Sequence, residues 1–186
     1  MAESLADLAR KALADVERVI GRLDAGGFDS FARAIAAARR IALHGLGREG
    51  LQMKGLAMRL HHLGLDAHVV GDMTLPPVGA GDLFLASAGP GDFATVAALA
   101  EIARKAGAKV AIVTAQPGGN LAKGADHVLH IPAQTMADDR AASSVLPMGS
   151  LFELSMMLVF ELLVLRLSDL KGETAETMRA RHTNME

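Results

Sequence analysis

Five short apolar runs, Ile41 to His44, Ala67 to Val70, Asp82 to Ala86, Lys109 to Thr114 and His127 to Ile131, recur along the chain with helical or glycine-rich segments between them. Strands that are separated by helices join by crossovers, so this order predicts an α/β fold: a doubly wound, parallel, five-stranded sheet flanked by helices, a three-layer sandwich of the flavodoxin-like or Rossmann-like kind. Leu5, Leu8, Leu13, Val16, Val19, Ile20 and Leu23 recur at helical spacing, and Gly26-Gly27 reads as the stop. A second helix is expected from Ser30, as N-cap, to about Arg39. Others are expected from about Leu51 to Leu63 with Gly64 closing, from Phe93 to Ala106 before Gly107, as one turn from Asn120 to Lys123, and from Gly149 to about Ser168. Residues 132–148 lack periodicity, and a loop of that length in a compact domain is usually functional or mobile.

With 186 residues, the whole chain reads as one domain, with helices over 1–40, the sheet core over 41–131, and a long helix and charged tail over 149–186. Lys+Arg (19) and Asp+Glu (21) nearly balance, so no charge excess points to nucleic acid or an anionic membrane. Trp and Tyr are absent and Phe occurs 6 times, which leaves almost no stacking platform for bases or sugar rings. Recognition therefore rests on backbone amides, hydroxyls and charges. The absence of cysteine removes disulfides, thiolate nucleophiles and cysteine metal sites, and fits a cytoplasmic location. Charges spread through residues 1–20 exclude a signal peptide reading, and Glu153, Glu161 and Arg166 interrupt the most apolar stretch, Leu146 to Leu167, against a membrane span. His61 and His62 diverge on a helix and His127 and His130 fall on opposite faces of a strand, so no metal site is expected. No cofactor is expected either.

In an open α/β sheet the ligand lies beyond the carboxyl ends of the strands, which directs attention to the loops after His44, Ala86 and Val113. Gly45-Leu46-Gly47-Arg48-Glu49-Gly50 lets amides approach an anion at a helix N-terminus, with Arg48 as a charged donor. A glycine turn needed only for strand–helix packing reads the same way. Ser87-Ala88-Gly89-Pro90-Gly91-Asp92 again precedes a helix, but Asp92 reads as that helix's own N-cap or first-turn carboxylate, in competition with any anion. Glu153 lies one turn inside an otherwise apolar helix, where desolvation disfavours a charge and suits a general base. The alternative for Glu153 is an ion pair with an arginine across an oligomer interface. His182 stands in a tail that has no evident structural need for it, or simply ends a solvated helix.

Taken together, these loops and their order resemble the sugar isomerase (SIS) domain family, and within it the 6-phospho-3-hexuloisomerases, from about Ile41 to Glu186. The matching segments are the first loop, Lys54 to Gly64, Gly79 to Asp82, Pro147 to Glu153 and Arg181 to Glu186. The resemblance implies aldose–ketose isomerisation through a cis-enediol, with Glu153 as the proton-transferring carboxylate and His182 assisting ring opening or proton shuttling. It also implies a homo-oligomer, a dimer or tetramer, whose tail reaches a neighbouring subunit's site and whose last helix lies at the interface. Gly45, Gly47, Arg48, Glu49, Ser87, Gly89, Gly91, Asp92 and Thr95 fall at the substrate-binding loops. The family's G-x-G-R-S-G has Glu49 at the serine here, and its S-G-S-G-E-T is replaced at Ala88, Pro90 and Phe93, so the phosphate-binding hydroxyls are lost. Glu49 adds a negative charge where a dianion is expected, a repulsion of several kcal/mol if desolvated, on the order of the Coulomb energy at short range. The sequence thus reads as a sugar or sugar-phosphate isomerase with altered recognition, or as a non-catalytic module that binds such a ligand as a sensor or scaffold.

Overall fold

The computed structural model describes residues 3–139 and 144–185. Its strands are β1 (Ile41–His44), β2 (Ala67–Val69), β3 (Leu83–Ser87), β4 (Lys109–Thr114) and β5 (His127–His130), each within a residue or so of the expected run. The helices are α1 (Leu5–Ile20), α2 (Ala25–Ala37), α3 (Gly47–His62), α4 (Ala94–Lys105), α5 (Asn120–Lys123), α6 (Ser150–Lys171) and α7 (Ala175–Ala180). All strand pairings are parallel, in the order β2-β1-β3-β4-β5. The order reverses between β1 and β3, so a crevice opens where those two strands end, at His44 and Ser87.

Side chains alternate between two apolar layers. Ile41, Leu43, Leu83 and Leu85 pack with α1, α2, α3 and α6, while Ala42, Phe84 and Ala86 pack with α4 and Leu121. Helix α6 fills the centre of the first layer with Phe152, Met156, Val159 and Leu163. No described helix is long and apolar enough to cross a membrane.

Two boundaries differ from expectation. Helix α1 ends at Ile20, and Gly26-Gly27, expected to stop it, form the first turn of α2. Asp24, not Ser30, caps α2, accepting from Gly26 N (3.1 Å) and Gly27 N (3.0 Å). A side-chain cap contributes about 1 kcal/mol, enough to offset a glycine's poor helix propensity. Gly27 also allows the close approach, since a Cβ there would lie 2.7 Å from Asp24 Oδ2. Helix α3 starts at Gly47 rather than near Leu51, with Gly47 at φ +54° making the turn. Arg48, Glu49 and Gly50 are therefore helical, and their directions are fixed. Within 132–148, the described parts are tied down: buried Asp15 of α1 accepts from Ser144 Oγ (2.5 Å) and Val145 N (3.0 Å), and Gln134 Nε2 donates to Met148 O (3.2 Å). Residues 140–143 of that segment lie outside the described residues.

Candidate active site

Helices α3, α4 and α6 begin at the carboxyl edge of the sheet, at Leu46, Phe93 and Gly149, without a side-chain cap of their own, as does the single turn of α5 at Gly119. Helices α1, α2 and α7 instead use Ser4, Asp24 and Thr174. The open N-termini leave amide donors directed toward the crevice.

Arg48, in the first turn of α3, reaches the first turn of α6. Its Nε lies 3.0 Å from Glu153 Oε2, an ion pair not aligned as a hydrogen bond, and its Nη1 donates to Ser150 Oγ at 3.1 Å. The arginine expected across an oligomer interface is thus supplied to Glu153 by the same chain. Glu161, two turns on, pairs with Arg59 at 3.3 Å along the outer side of the α3–α6 contact.

Glu49 is the carboxyl that the sequence placed least well. It is 7% exposed, and its Oε2 accepts from Gly89 N at 3.0 Å. Burial pushes this carboxyl above its ordinary range and the Glu153 charge adds to that, while the Gly89 amide and the Ser87 hydroxyl pull the other way. The buried environment expected for Glu153 thus belongs more to Glu49, because a helix starting at Gly47 places residues 49, 53, 56 and 60 on one buried stripe. That spacing was a usable signal, hidden by reading 45–50 as loop.

The other expected binding residues divide into supports and exposed groups. A Cβ on Gly45 would meet Ser87 Oγ at 2.7 Å and Met53 Cγ at 2.9 Å, so Gly45 lets β1 turn tightly into α3 over a fully buried Ser87. Gly91 holds its loop at φ +110°, and Thr95 is exposed in the first turn of α4. Asp92 does not cap α4. Its carboxylate accepts from Leu121 N (3.0 Å), Asn120 N (3.4 Å) and Asn120 Nδ2 (3.1 Å), so it serves the N-terminus of α5. The loop turn at Gly91 carries the side chain away from its own helix, which leaves the α4 amides open. Only the tertiary contact with α5 decides this. His44, not singled out by sequence, ends β1 with its Nε2 buried and without a hydrogen-bond partner among the described residues, and burial holds its pKa down.

His182 lies elsewhere. Its exposed ring packs against His62, 5.2 Å between centroids, at the C-terminal end of α3. Arg181 secures it by donating to His62 O (2.9 Å) and pairing with Glu173 (2.7 Å). Arg48 and Glu153 lie at the opposite end of α3, about 20 Å away at the rise of an α-helix. One chain does not bring His182 to Glu153. Among the described residues no cluster of His, Asp or Glu is arranged to hold a metal ion.

The model of the SIS domain matches residues 34–159, which span every strand and the start of α6. The chain belongs to the SIS domain family. Curated relatives of this SIS protein include the 3-hexulose-6-phosphate isomerase of Mycobacterium gastri, 42% identical over 155 residues that cover 83% of this chain and 78% of the relative. Another is the 3-hexulose-6-phosphate isomerase of Bacillus subtilis, 35% identical over 159 residues covering 85% and 86%. A crystal structure of a hypothetical protein superposes with TM-score 0.88 at 29% identity, covering 97% of both chains, in agreement with the three-layer fold.

Proposed function

We propose that this SIS protein is a cytoplasmic sugar isomerase that interconverts a ketose or aldose, or its phosphate, through a cis-enediol, with Glu153 as the base. The observation that carries the reading is Glu153 itself, 16% exposed in the first turn of α6 and held by Arg48 where the N-termini of α3 and α6 meet. The relatives named as isomerases support the same chemistry over most of the chain.

Glu153 takes the proton from the carbon beside the carbonyl, and the electron pair left behind forms the C=C bond of an enediolate, whose former carbonyl oxygen takes a proton to give the cis-enediol. The same carboxyl then returns the proton to the neighbouring carbon, so no atom is gained or lost overall. Arg48 orients the carboxylate, and its charge beside Glu153 stabilises the negative charge that develops on the enediolate. His182, which moves protons between oxygens, comes from a second copy of the chain. This is supported by its distance from Glu153 in one chain and by the apolar surface of α6 at Leu154, Met157, Leu158 and Leu165, which a homo-oligomer covers. Recognition is altered at the β3–α4 loop, where Ala88, Pro90 and Phe93 carry no hydroxyl.

The occupied Gly89 amide favours a second reading, a sugar-binding module without catalysis. Glu153→Gln separates the two. An isomerase loses turnover and loses deuterium exchange into the ketose by at least a thousandfold, while ligand binding persists. Exchange that continues at the wild-type rate removes Glu153 as the base.

A further inference from the structure

Asp15 stands apart among the residues that α1 turns inward. Val16 and Val19 are apolar and join the core with α6, while Asp15 brings a carboxylate that is 6% exposed. A buried charge persists only where partners offset its desolvation. Here Oδ2 accepts from both Ser144 Oγ (2.5 Å) and Val145 N (3.0 Å), and Oδ1 pairs with Arg18. Burial works against the charge, but these three donors together outweigh it and hold the carboxyl below its ordinary range. The acceptor is therefore ionised at neutral pH.

We propose that Asp15 is a positioning residue, which holds Ser144 and Val145 against α1 so that the chain enters α6 with Glu153 set against Arg48. The proposal rests on the isomerase reading, in which Glu153 is the base. It adds a residue of α1, a helix to which none of the site residues described above belongs.

The path from Asp15 to Glu153 is short and continuous. Ser144 Oγ, while donating to Asp15, accepts from Leu146 N at 3.0 Å, so the hydroxyl fixes the turn that leads to Pro147. Pro147 O accepts from Ser150 N (3.0 Å) and Gly149 O from Glu153 N (3.0 Å), which builds the first turn of α6 directly on this segment. Between them Met148 has φ +53°, the one non-glycine residue in the left-handed region among the described residues. A side chain there is strained and keeps that conformation only while its surroundings impose it. Two ties impose it: Asp15 upstream, and the Gln134 amide donating to Met148 O (3.2 Å). The Arg48 contacts with Glu153 (3.0 Å) and Ser150 (3.1 Å) are both made to that first turn. A displacement of the start of α6 by about 1 Å moves the base off its guanidinium and off the carbon it must reach.

Kinetics and amide hydrogen exchange on the full-length protein test this, with solvent deuterium exchange into fructose 6-phosphate as the assay. Asp15→Ala removes the acceptor and is expected to lower kcat by about ten- to a hundredfold, while KM stays within about threefold. Asp15→Asn keeps an oxygen where Oδ2 accepts both donors, and is expected to restore kcat to within about threefold of the wild type. Should Asp15→Ala fail to fold, Ser144→Ala breaks the same path more gently and is expected to lower kcat by about threefold or more. The amides of Ser150 to Glu153 are expected to exchange about tenfold faster in the alanine variants, with those of β3 unchanged. Unchanged kcat in both alanine variants, a fall that Asp15→Asn shares, or first-turn exchange at the wild-type rate overturns the proposal. A wild type that exchanges no deuterium into the sugar sinks the isomerase reading alone, since the amide measurement still decides whether Asp15 holds α6.

Discussion

Gly89→Ala tests the contact on which the site's architecture depends. Gly89 is not in the left-handed region of backbone space, so the cost of a methyl group there is steric. The new Cβ would stand 2.7 Å from Phe152 Cε1, 2.8 Å from Phe152 Cδ1 and 2.8 Å from Glu49 Oε1, all closer than real Cβ contacts. Phe152 is 1% exposed in the centre of the larger core and has no free space to move into. Overpacking of this kind costs about 1–3 kcal/mol. If the loop retreats instead, the Glu49–Gly89 hydrogen bond breaks, which costs a similar amount, about 1.5–3 kcal/mol for a bond to a carboxylate. Either route, or a mixture, gives a destabilisation of about 2 kcal/mol, which for a chain of this length lowers Tm by about 4–8 °C. Gly55→Ala is the control: it lies in the middle of α3, nothing stands within 4 Å of its Cβ position, and helix propensity predicts a gain of about 0.5–1 kcal/mol. Urea unfolding at one fixed protomer concentration measures both. A Gly89→Ala protein as stable as the wild type, with unchanged slope, refutes the close packing of the loop on Phe152 and Glu49.

Glu49→Gln has a pH signature. The folded-state pKa of Glu49 is raised above the ordinary 4.5, so the native state holds its proton more tightly than the unfolded chain, and that stabilisation is lost as pH rises through the raised value. The glutamine variant is therefore expected to gain Tm over the wild type at pH 8, with the gain shrinking as pH falls toward 4.5, and a gain independent of pH contradicts the burial of a carboxyl there. The shared site predicts complementation: Glu153→Gln and His182→Gln proteins, each inactive alone, recover about a quarter of wild-type activity when their subunits are mixed at random in a symmetric dimer. An isomerisation assay that finds no recovery, with exchange of subunits shown by mass spectrometry, places both residues' work within one chain.

The strand count, the parallel order and the glycine turns at Gly45 and Gly91 were legible in the sequence, because hydrophobic periodicity and backbone freedom are local properties that survive without knowledge of neighbours. So was Glu153, whose place in an apolar stretch is visible in one dimension. The partners of carboxyl groups were not. Asp92 has amides of its own helix within reach in sequence, yet it caps α5, more than twenty-five positions away. Glu49 read as a negative charge in the substrate loop until helix α3 was seen to start at Gly47 and turn it under Gly89, forty positions on. Arg48 finds Glu153 only because α3 and α6 bring their N-termini together, and His182 reaches the far end of α3 because Arg181 fastens the tail to His62 and Glu173. A carboxyl or an imidazole takes whichever donor the packed chain places within about 3 Å, and that choice belongs to the tertiary structure.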